Sequence, residues 1–134
     1  GLFDRERMRA GNVRIGVATD IGGGTSYSML RTLDEGYKVL QLKGQRLSPI
    51  ESFYMMTLGN ARALSLEHTI GALEPGADAD IVVLDARALP HMALKMEQVQ
   101  TLTEELFLLQ TCGDDRVVAQ TYVAGEAAKS VSAL

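Results

Sequence analysis

In the first half of the chain, the spacing of apolar residues changes between the two-residue period of a strand and the 3.6-residue period of a helix. Residues 2–11 predict a short helix with Asp4 as its N-cap. The apolar, β-branched run at residues 13–19 predicts a short buried strand. Apolar side chains spaced close to every 3.6 residues then predict helices over residues 27–43 and 49–58. The order strand, helix, helix is typical of the closing part of an α/β unit.

Polar residues mark where these helices begin. Thr25 and Ser26 offer side-chain oxygens as N-caps for the helix over residues 27–43. Ser48, followed three residues later by Glu51, predicts a capping box at the start of the next helix.

The pattern changes near residue 66. Gly59 is expected to interrupt the preceding helix, and Asn60 to cap a short helix over residues 61–66. A turn-rich stretch with several glycines follows. We therefore predict two parts, residues 1–66 and residues 67–134, divided at this change in composition.

Short elements separated by turns are predicted for the second part. The compact apolar run at residues 81–84 predicts a strand, and Pro90 is expected to break the chain after it. Thr101 or Thr103 is expected to cap a helix that ends near Thr111, with Leu102, Leu106, Leu109 and Phe107 as candidates for its buried face. Residues 117–123 predict a second strand, and residues 124–126 predict a hairpin turn. The weakly patterned end, residues 127–134, is expected to fray.

Composition excludes several classes of protein. The 134 residues are 46% hydrophobic and 22% charged, with a net charge of −4 and no block of Lys and Arg, so a nucleic-acid partner is not expected. No apolar run is long enough to span a bilayer, and the first residues lack a signal-peptide pattern. The single cysteine, Cys112, excludes an internal disulfide and fits a reducing compartment. We therefore expect no membrane partner and a cytoplasmic location.

The chain contains two histidines, His68 and His91. A mononuclear zinc hydrolase usually binds its metal through three or more protein ligands, several of them histidines. The chain alone is therefore poorly supplied for a zinc site, and both histidines are interpreted as surface or packing residues.

Asp20 is the strongest candidate for a catalytic residue. It follows the strand predicted at residues 13–19 and precedes three glycines, Gly22 to Gly24, and a helix. α/β folds place catalytic groups at this end of a strand, although aspartate also occurs there simply because it favours turns. The run DIGGGT resembles the phosphate loop of actin-like ATPases as well. In that motif a strand follows the loop, whereas here the pattern predicts a helix.

Several segments resemble the amidohydrolase superfamily. GVATDIGGGTSYSML resembles the end of the eighth barrel strand, and its GGGTSYSML part is similar to guanine deaminases in particular. GLFD, LSPIESFYMMTLGNARAL, IGALEPGADADIVVLDA and DDRVVAQTYVAGE resemble further segments, in the family's order. The resemblance implies an α/β fold: the C-terminal fragment of a (β/α)8 barrel, comprising its last strand and outer helices, plus part of a small β-sandwich.

The resemblance also implies a function. Guanine deaminases hydrolyse guanine to xanthine and ammonia with one zinc ion, and Asp20 matches their metal ligand and proton shuttle. Ser26 and Ser28 are candidates to contact guanine or a related purine. The family's metal-binding histidines and purine-reading residues have no counterpart here, and neither His68 nor His91 matches a family ligand.

Two hypotheses follow from this incomplete site. In the first, the chain is the C-terminal part of a zinc-dependent guanine deaminase and associates with a missing N-terminal part. In the second, it is a non-catalytic, truncated amidohydrolase-like domain that self-associates. A lone barrel strand exposes its edges, so both hypotheses lead us to expect a homo-oligomer or a partner.

Overall fold

The computed structural model describes residues 1–128, which form six α-helices and one small antiparallel sheet. The helices are α1 (Arg5–Ala10), α2 (Met29–Leu42), α3 (Pro49–Met56), α4 (Leu58–Ala63), α5 (Pro90–Met96) and α6 (Leu102–Cys112). The strands are β1 (Ile81–Leu84), β2 (Val118–Val123) and β3 (Glu126–Ala127). Within these residues no helix is both long and apolar enough to cross a membrane. Residues 129–134, most of the end that was expected to fray, lie outside the described part.

The predicted starts of α1 and α3 are confirmed, and that of α2 is wrong by two residues. Asp4 accepts a hydrogen bond from the Arg7 backbone N–H at 3.0 Å, and Ser48 forms the expected capping box. The N-cap of α2 is Ser28, not Thr25 or Ser26. The Ser26 hydroxyl accepts a hydrogen bond from the Ser28 backbone N–H at 3.1 Å, so the chain makes a local turn before the helix begins.

The break between α3 and α4 falls at Thr57, which has φ −116° and ψ −104°. The prediction that Gly59 interrupts the helix and Asn60 caps the next one is therefore wrong, because both residues lie inside α4. A glycine is needed at position 59 for close packing, since a Cβ there would lie 2.8 Å from the Tyr54 carbonyl oxygen. Asn60 uses its side chain for a tertiary contact instead of a cap.

Pro90 begins α5 rather than breaking the chain, so the sequence analysis missed this helix. Proline is well suited to the first helical position, where no intrahelical hydrogen bond needs its N–H. The fully buried Met92 anchors α5 in the core. Of the two predicted caps of α6, Thr101 is confirmed, and it also forms a capping box with Glu104. Leu102 is 65% exposed, and Leu108 is buried instead.

Residues 13–19 do not form the predicted buried strand. Their side chains alternate, with Ile15 and Val17 half-buried against a core cluster while Arg14, Gly16 and Ala18 are exposed. This alternation is typical of extended chain, but no strand within residues 1–128 lies beside it. A strand requires a neighbour's backbone groups, so the local pattern was not sufficient.

The sheet has the order β1-β2-β3, with Ile81 opposite Tyr122 and Leu84 opposite Val118. Ala124 and Gly125 both have positive φ, 50° and 82°, as a two-residue type I′ hairpin turn requires. The predicted strands at residues 81–84 and 117–123 and the hairpin are thus confirmed to within a residue. Within residues 1–128 the sheet contains three strands, and a larger β-sandwich is not formed.

Helix α2 contributes to both hydrophobic clusters. Its N-terminal Leu30 belongs to the larger cluster, which includes Met92 and Leu108. Its C-terminal Leu40 belongs to the smaller one, with Leu47 and Met55. The larger cluster thus joins residues from both sides of position 66, and the proposed division there stays a prediction.

The contact between α2 and α6 is partly polar. The fully buried Gln110 donates from Nε2 to the Leu33 carbonyl oxygen at 3.4 Å. Tyr37 and Phe107 pack edge to face, with ring centroids 5.5 Å apart. Phe107 packs on Tyr37 but is 39% exposed, so its predicted place on the buried face of α6 is wrong.

The cap of α1 predicts acid-sensitive stability. Hydrogen bonds from the Arg7 backbone N–H, the Gln45 amide and Lys43 lower the pKa of Asp4 from 3.8 to about 2. Because the pKa is lower in the folded than in the unfolded state, this stabilisation is complete above the unfolded value of 3.8 and is lost as the pH falls through about 2. We expect the free energy of unfolding to fall across this window.

An Asp4→Asn variant is the matched control, because asparagine also caps helices but does not titrate. The pH dependence of its urea unfolding should be shallower than that of the unmodified chain. A folded-state NMR titration that gives Asp4 an ordinary aspartate pKa would contradict the prediction.

Candidate functional site

Asp20 lies at the first position of a tight turn. Its φ of 50° is in the left-handed region, which aspartate tolerates better than most residues. Its carbonyl oxygen accepts hydrogen bonds from the backbone N–H groups of Gly23 at 2.9 Å and Gly24 at 2.6 Å. The backbone of Asp20 therefore closes the turn. Its exposed side chain makes no hydrogen bond or ion pair with the rest of the described chain.

The glycines make this turn possible. A Cβ on Gly24 would collide with the Thr19 carbonyl oxygen and lie 3.1 Å from that of Asp20. A Cβ on Gly23 would lie 2.7 Å from a carboxylate oxygen of Asp20. Close approach of the chain to itself thus explains both glycines without a ligand. Helix α2 follows the loop, as the sequence predicted. The run DIGGGT therefore lacks the strand that follows the phosphate loop in actin-like ATPases.

Ser26 and Ser28 are occupied by local structure. The Ser26 hydroxyl accepts from the Ser28 backbone N–H, and the Ser28 hydroxyl accepts from the Arg31 backbone N–H at 3.5 Å. Both side chains are half-buried, and Ser28 also lines an open groove. Their predicted contact with a purine is not tested by this geometry.

Asn60 is a residue of the site that the sequence analysis misinterpreted. Its side chain bonds to both backbone groups of Val17, three residues before Asp20. The available signal was an asparagine inside a helical pattern, since asparagine is disfavoured there unless its amide bonds elsewhere. The pattern could not identify the partner, because Val17 is 43 positions away.

Two open depressions lie beside the helices. A groove of about 800 Å³ is lined mainly by apolar residues, among them Met56 of α3, Leu64 just after α4 and Val82 of β1. A cleft of about 450 Å³ is lined by polar residues as well, including Arg9 and Arg14. Asp20 lines neither of them.

One acidic residue on the groove is held ionised. The Arg116 guanidinium bonds to the Asp114 carboxylate at 2.6 Å and lowers the pKa of Asp114 to about 2. Asp114 is therefore negatively charged at neutral pH, but its charge is paired with Arg116. It does not add an unpaired charge to the groove.

The described residues do not by themselves fit a zinc ion. Zinc in hydrolases takes at least three protein ligands, and residues 1–128 contain no group of three or more His, Cys, Asp and Glu placed to hold a metal. His68 and His91 are both exposed. Cys112 packs against the larger hydrophobic cluster. Asp20 is thus the one predicted ligand, and the described residues do not complete a three-ligand site around it.

Comparison with known proteins identifies the family. Residues 3–128 match the model of the amidohydrolase family. The match covers nearly all of the described chain, and the chain belongs to this family.

Particular relatives are guanine deaminases. The chain is 46% identical to guanine deaminase of Escherichia coli over 125 residues, which are 93% of this chain and 28% of that protein. A solved structure of the E. coli guanine deaminase superposes with a TM-score of 0.95 at 44% identity, over 98% of this chain and 31% of the other. Guanine deaminase from C. acetobutylicum, solved with guanine bound in its active site, gives a TM-score of 0.73 at 26% identity. It covers 95% of this chain and 30% of the other. The chain thus spans less than a third of the length of these relatives.

The turn after Asp20 predicts unequal effects of two glycine substitutions. Gly24→Ala places its methyl group against the backbone carbonyl of Thr19, which cannot move without opening the turn. We expect a loss of about 2 kcal/mol in the free energy of unfolding, within the usual range for overpacking. Gly23→Ala meets only the movable carboxylate of Asp20 and should cost less than about 1 kcal/mol.

Urea unfolding of the two variants measures the difference directly. Because both replace a loop glycine by alanine, the change in unfolded-state entropy is the same in each. Equal losses would show that the close approach of position 24 to Thr19 does not constrain the turn.

Proposed function

We propose that the chain is the C-terminal part of a zinc-dependent guanine deaminase, which hydrolyses guanine to xanthine and ammonia. The observation that carries the proposal is the 46% identity to the E. coli guanine deaminase along 93% of this chain. The exposed carboxylate of Asp20, presented on a tight turn, adds a group able to perform the chemistry.

On this proposal, residues 13–19 are the last strand of a barrel that residues outside the described chain complete. Ala18 and Asp20 are exposed at the end of the segment, as residues of an inward barrel face would be before the barrel is completed. The backbone groups of Gly16 and Ala18 make no hydrogen bond within residues 1–128. Unpaired backbone groups on an extended segment are suited to pairing with neighbouring strands.

The sheet β1-β2-β3 is proposed to be part of a β-sandwich. Val82, Val83 and Val118 are exposed apolar residues on its two longer strands. Val82 and Val83 are neighbours in β1, so their side chains lie on opposite faces of the sheet. Apolar side chains left in water on a small sheet favour association with further strands. A missing N-terminal part of the enzyme is the proposed partner.

Asp20 is proposed to be a zinc ligand and the proton shuttle. A carboxylate beside the reacting carbon takes a proton from the attacking water and returns it to the leaving amine. Ligands from outside residues 1–128 would be needed, because no group of three or more His, Cys, Asp and Glu within them is placed to hold a metal. Ser26 and Ser28 are proposed to contact the purine, which would require them to exchange a local hydrogen bond for one to the substrate.

The alternative is a non-catalytic domain that self-associates. The apolar groove of about 800 Å³, with the exposed Leu64 and Val82, supports this alternative. Zinc analysis and size determination of the 134-residue chain separate the two hypotheses. One zinc ion per chain would contradict the non-catalytic alternative, whereas a zinc-free dimer without activity would favour it.

The catalytic role of Asp20 predicts a specific loss of activity. In the protein that carries this chain, Asp20→Asn keeps the shape of the side chain but removes its ability to accept and return a proton. We expect kcat for the conversion of guanine to xanthine to fall at least about 100-fold, the lower range for general acid–base catalysis.

Asp78→Asn is the matched control, because Asp78 is also an exposed aspartate but lies in a turn remote in sequence from the loop. Its activity should stay within about twofold of the unmodified protein, as expected for a surface substitution. Full activity of Asp20→Asn would refute the assigned role, and no ammonia release by the unmodified protein would refute guanine deamination itself.

A further inference from the structure

We propose that Asn60 is a positioning residue for Asp20, acting through the backbone of Val17. The inference rests on the proposed function for its catalytic consequence, but its structural part stands on the geometry alone. The Asn60 carboxamide and the Val17 backbone, which it binds, are called the amide clamp below.

The clamp has two hydrogen bonds of equal length. The Val17 backbone N–H donates to Asn60 Oδ1 at 2.8 Å, and Asn60 Nδ2 donates to the Val17 carbonyl oxygen at 2.8 Å. The N–H and C=O of one residue point to the same side of an extended chain, where a neighbouring strand would normally bind them. A carboxamide presents an N–H donor and a carbonyl acceptor side by side, in geometry that matches these two backbone groups. The side chain of Asn60 thus takes the place of a strand at this point.

Gly16 shows how closely the clamp is seated. A Cβ on Gly16 would collide with Asn60 Oδ1 and lie 3.3 Å from its Cγ. The amide therefore packs directly against the backbone beside Val17, and only glycine leaves room for it. Gly16 is exposed to solvent, so burial does not explain the need for glycine at this position.

The amide clamp binds the backbone of the segment that carries Asp20, and the Arg14 guanidinium adds a hydrogen bond to the Arg62 carbonyl oxygen at 2.8 Å. Between Arg14 and Thr19, the backbone makes no other hydrogen bond within residues 1–128. Asp20 follows Val17 by three residues, about 10 Å of extended chain. The direction of the chain at Val17 therefore strongly influences where the Asp20 carboxylate is presented.

Asn60 is well placed to hold this direction. It lies inside α4 between two buried residues, Gly59 and Ala61, so its own backbone is anchored in the core. Its Nδ2 also lies 3.4 Å from the Met56 carbonyl oxygen, which limits rotation of the amide. A rigid helix thus orients an extended segment that lacks a neighbouring strand in the described chain.

Two substitutions disrupt the amide clamp in different ways. Asn60→Ala removes the amide, and Gly16→Ala pushes it away while leaving it present. In the protein that carries this chain, we expect each to speed amide exchange at Val17 and to change the N–H residual dipolar coupling of Asp20. We expect kcat for guanine to fall at least tenfold with KM changed less than threefold, because small misplacements of a catalytic group reduce the chemical step.

The double variant Gly16→Ala/Asn60→Ala tests the contact itself. Without the amide, the Gly16→Ala methyl group has no Oδ1 to meet, so the double variant should lose no more activity than Asn60→Ala alone. Independent effects would instead multiply. Thr111→Ala is the control, because it removes a hydrogen bond of 2.7 Å to the Phe107 carbonyl oxygen in α6, away from the clamp. It should leave Val17 exchange, the Asp20 coupling and kcat unchanged.

The outcomes separate this inference from the proposed function. Unchanged exchange at Val17, or an unchanged Asp20 coupling, in Asn60→Ala would overturn the inference whether or not the protein deaminates guanine. A kcat retained while stability falls would also overturn it, since Asn60 would then be only structural. If the unmodified protein does not act on guanine, the proposed function fails, and the exchange and coupling data still decide whether Asn60 orients Asp20.

Discussion

The extended segment at residues 13–19 must be held without a neighbouring strand in the described chain, and this constraint shapes the structure around it. Its two half-buried apolar residues, Ile15 and Val17, pack against the cluster of α2 and α3. Hydrophobic packing does not fix the direction of the chain, whereas the two hydrogen bonds between Asn60 and Val17 do. The helices therefore supply both the apolar support and the orientation for the turn that presents Asp20.

A second set of polar contacts holds the chain before this segment. Gln45, which is buried, donates to Asp4 at 2.7 Å and accepts from the Arg5 backbone N–H at 3.0 Å. Arg5 in turn bonds to Glu51 of α3 at 2.6 Å. Helix α1 is short and buries no side chain fully, so these contacts, not a hydrophobic face, attach it to the rest of the fold. The segment from α1 to Asp20 is thus attached at both ends by side-chain to backbone hydrogen bonds.

The described chain presents a candidate catalytic group without a complete metal site. Amidohydrolase family membership and the similarity to guanine deaminases extend along nearly all of the described chain. Within residues 1–128, however, no group of three or more His, Cys, Asp and Glu is placed to hold a metal. The proposed enzyme therefore requires further residues around Asp20.

Local signals in the sequence were sufficient for the starts of α1, α3 and α6, for β1 and β2, and for the hairpin at Ala124 and Gly125. Caps and turns depend on residues only a few positions apart. They also singled out Asp20 as a candidate by its place before a glycine turn. Tertiary structure alone decided that residues 13–19 have no partner strand within residues 1–128, that Pro90 starts a helix, and that Asn60 binds Val17 instead of capping α4. Each of these depends on a partner distant in the chain or on burial in the core. Hydrophobic pattern indicates which segments prefer extended or helical backbone, but only the folded chain determines which groups are available to bind them.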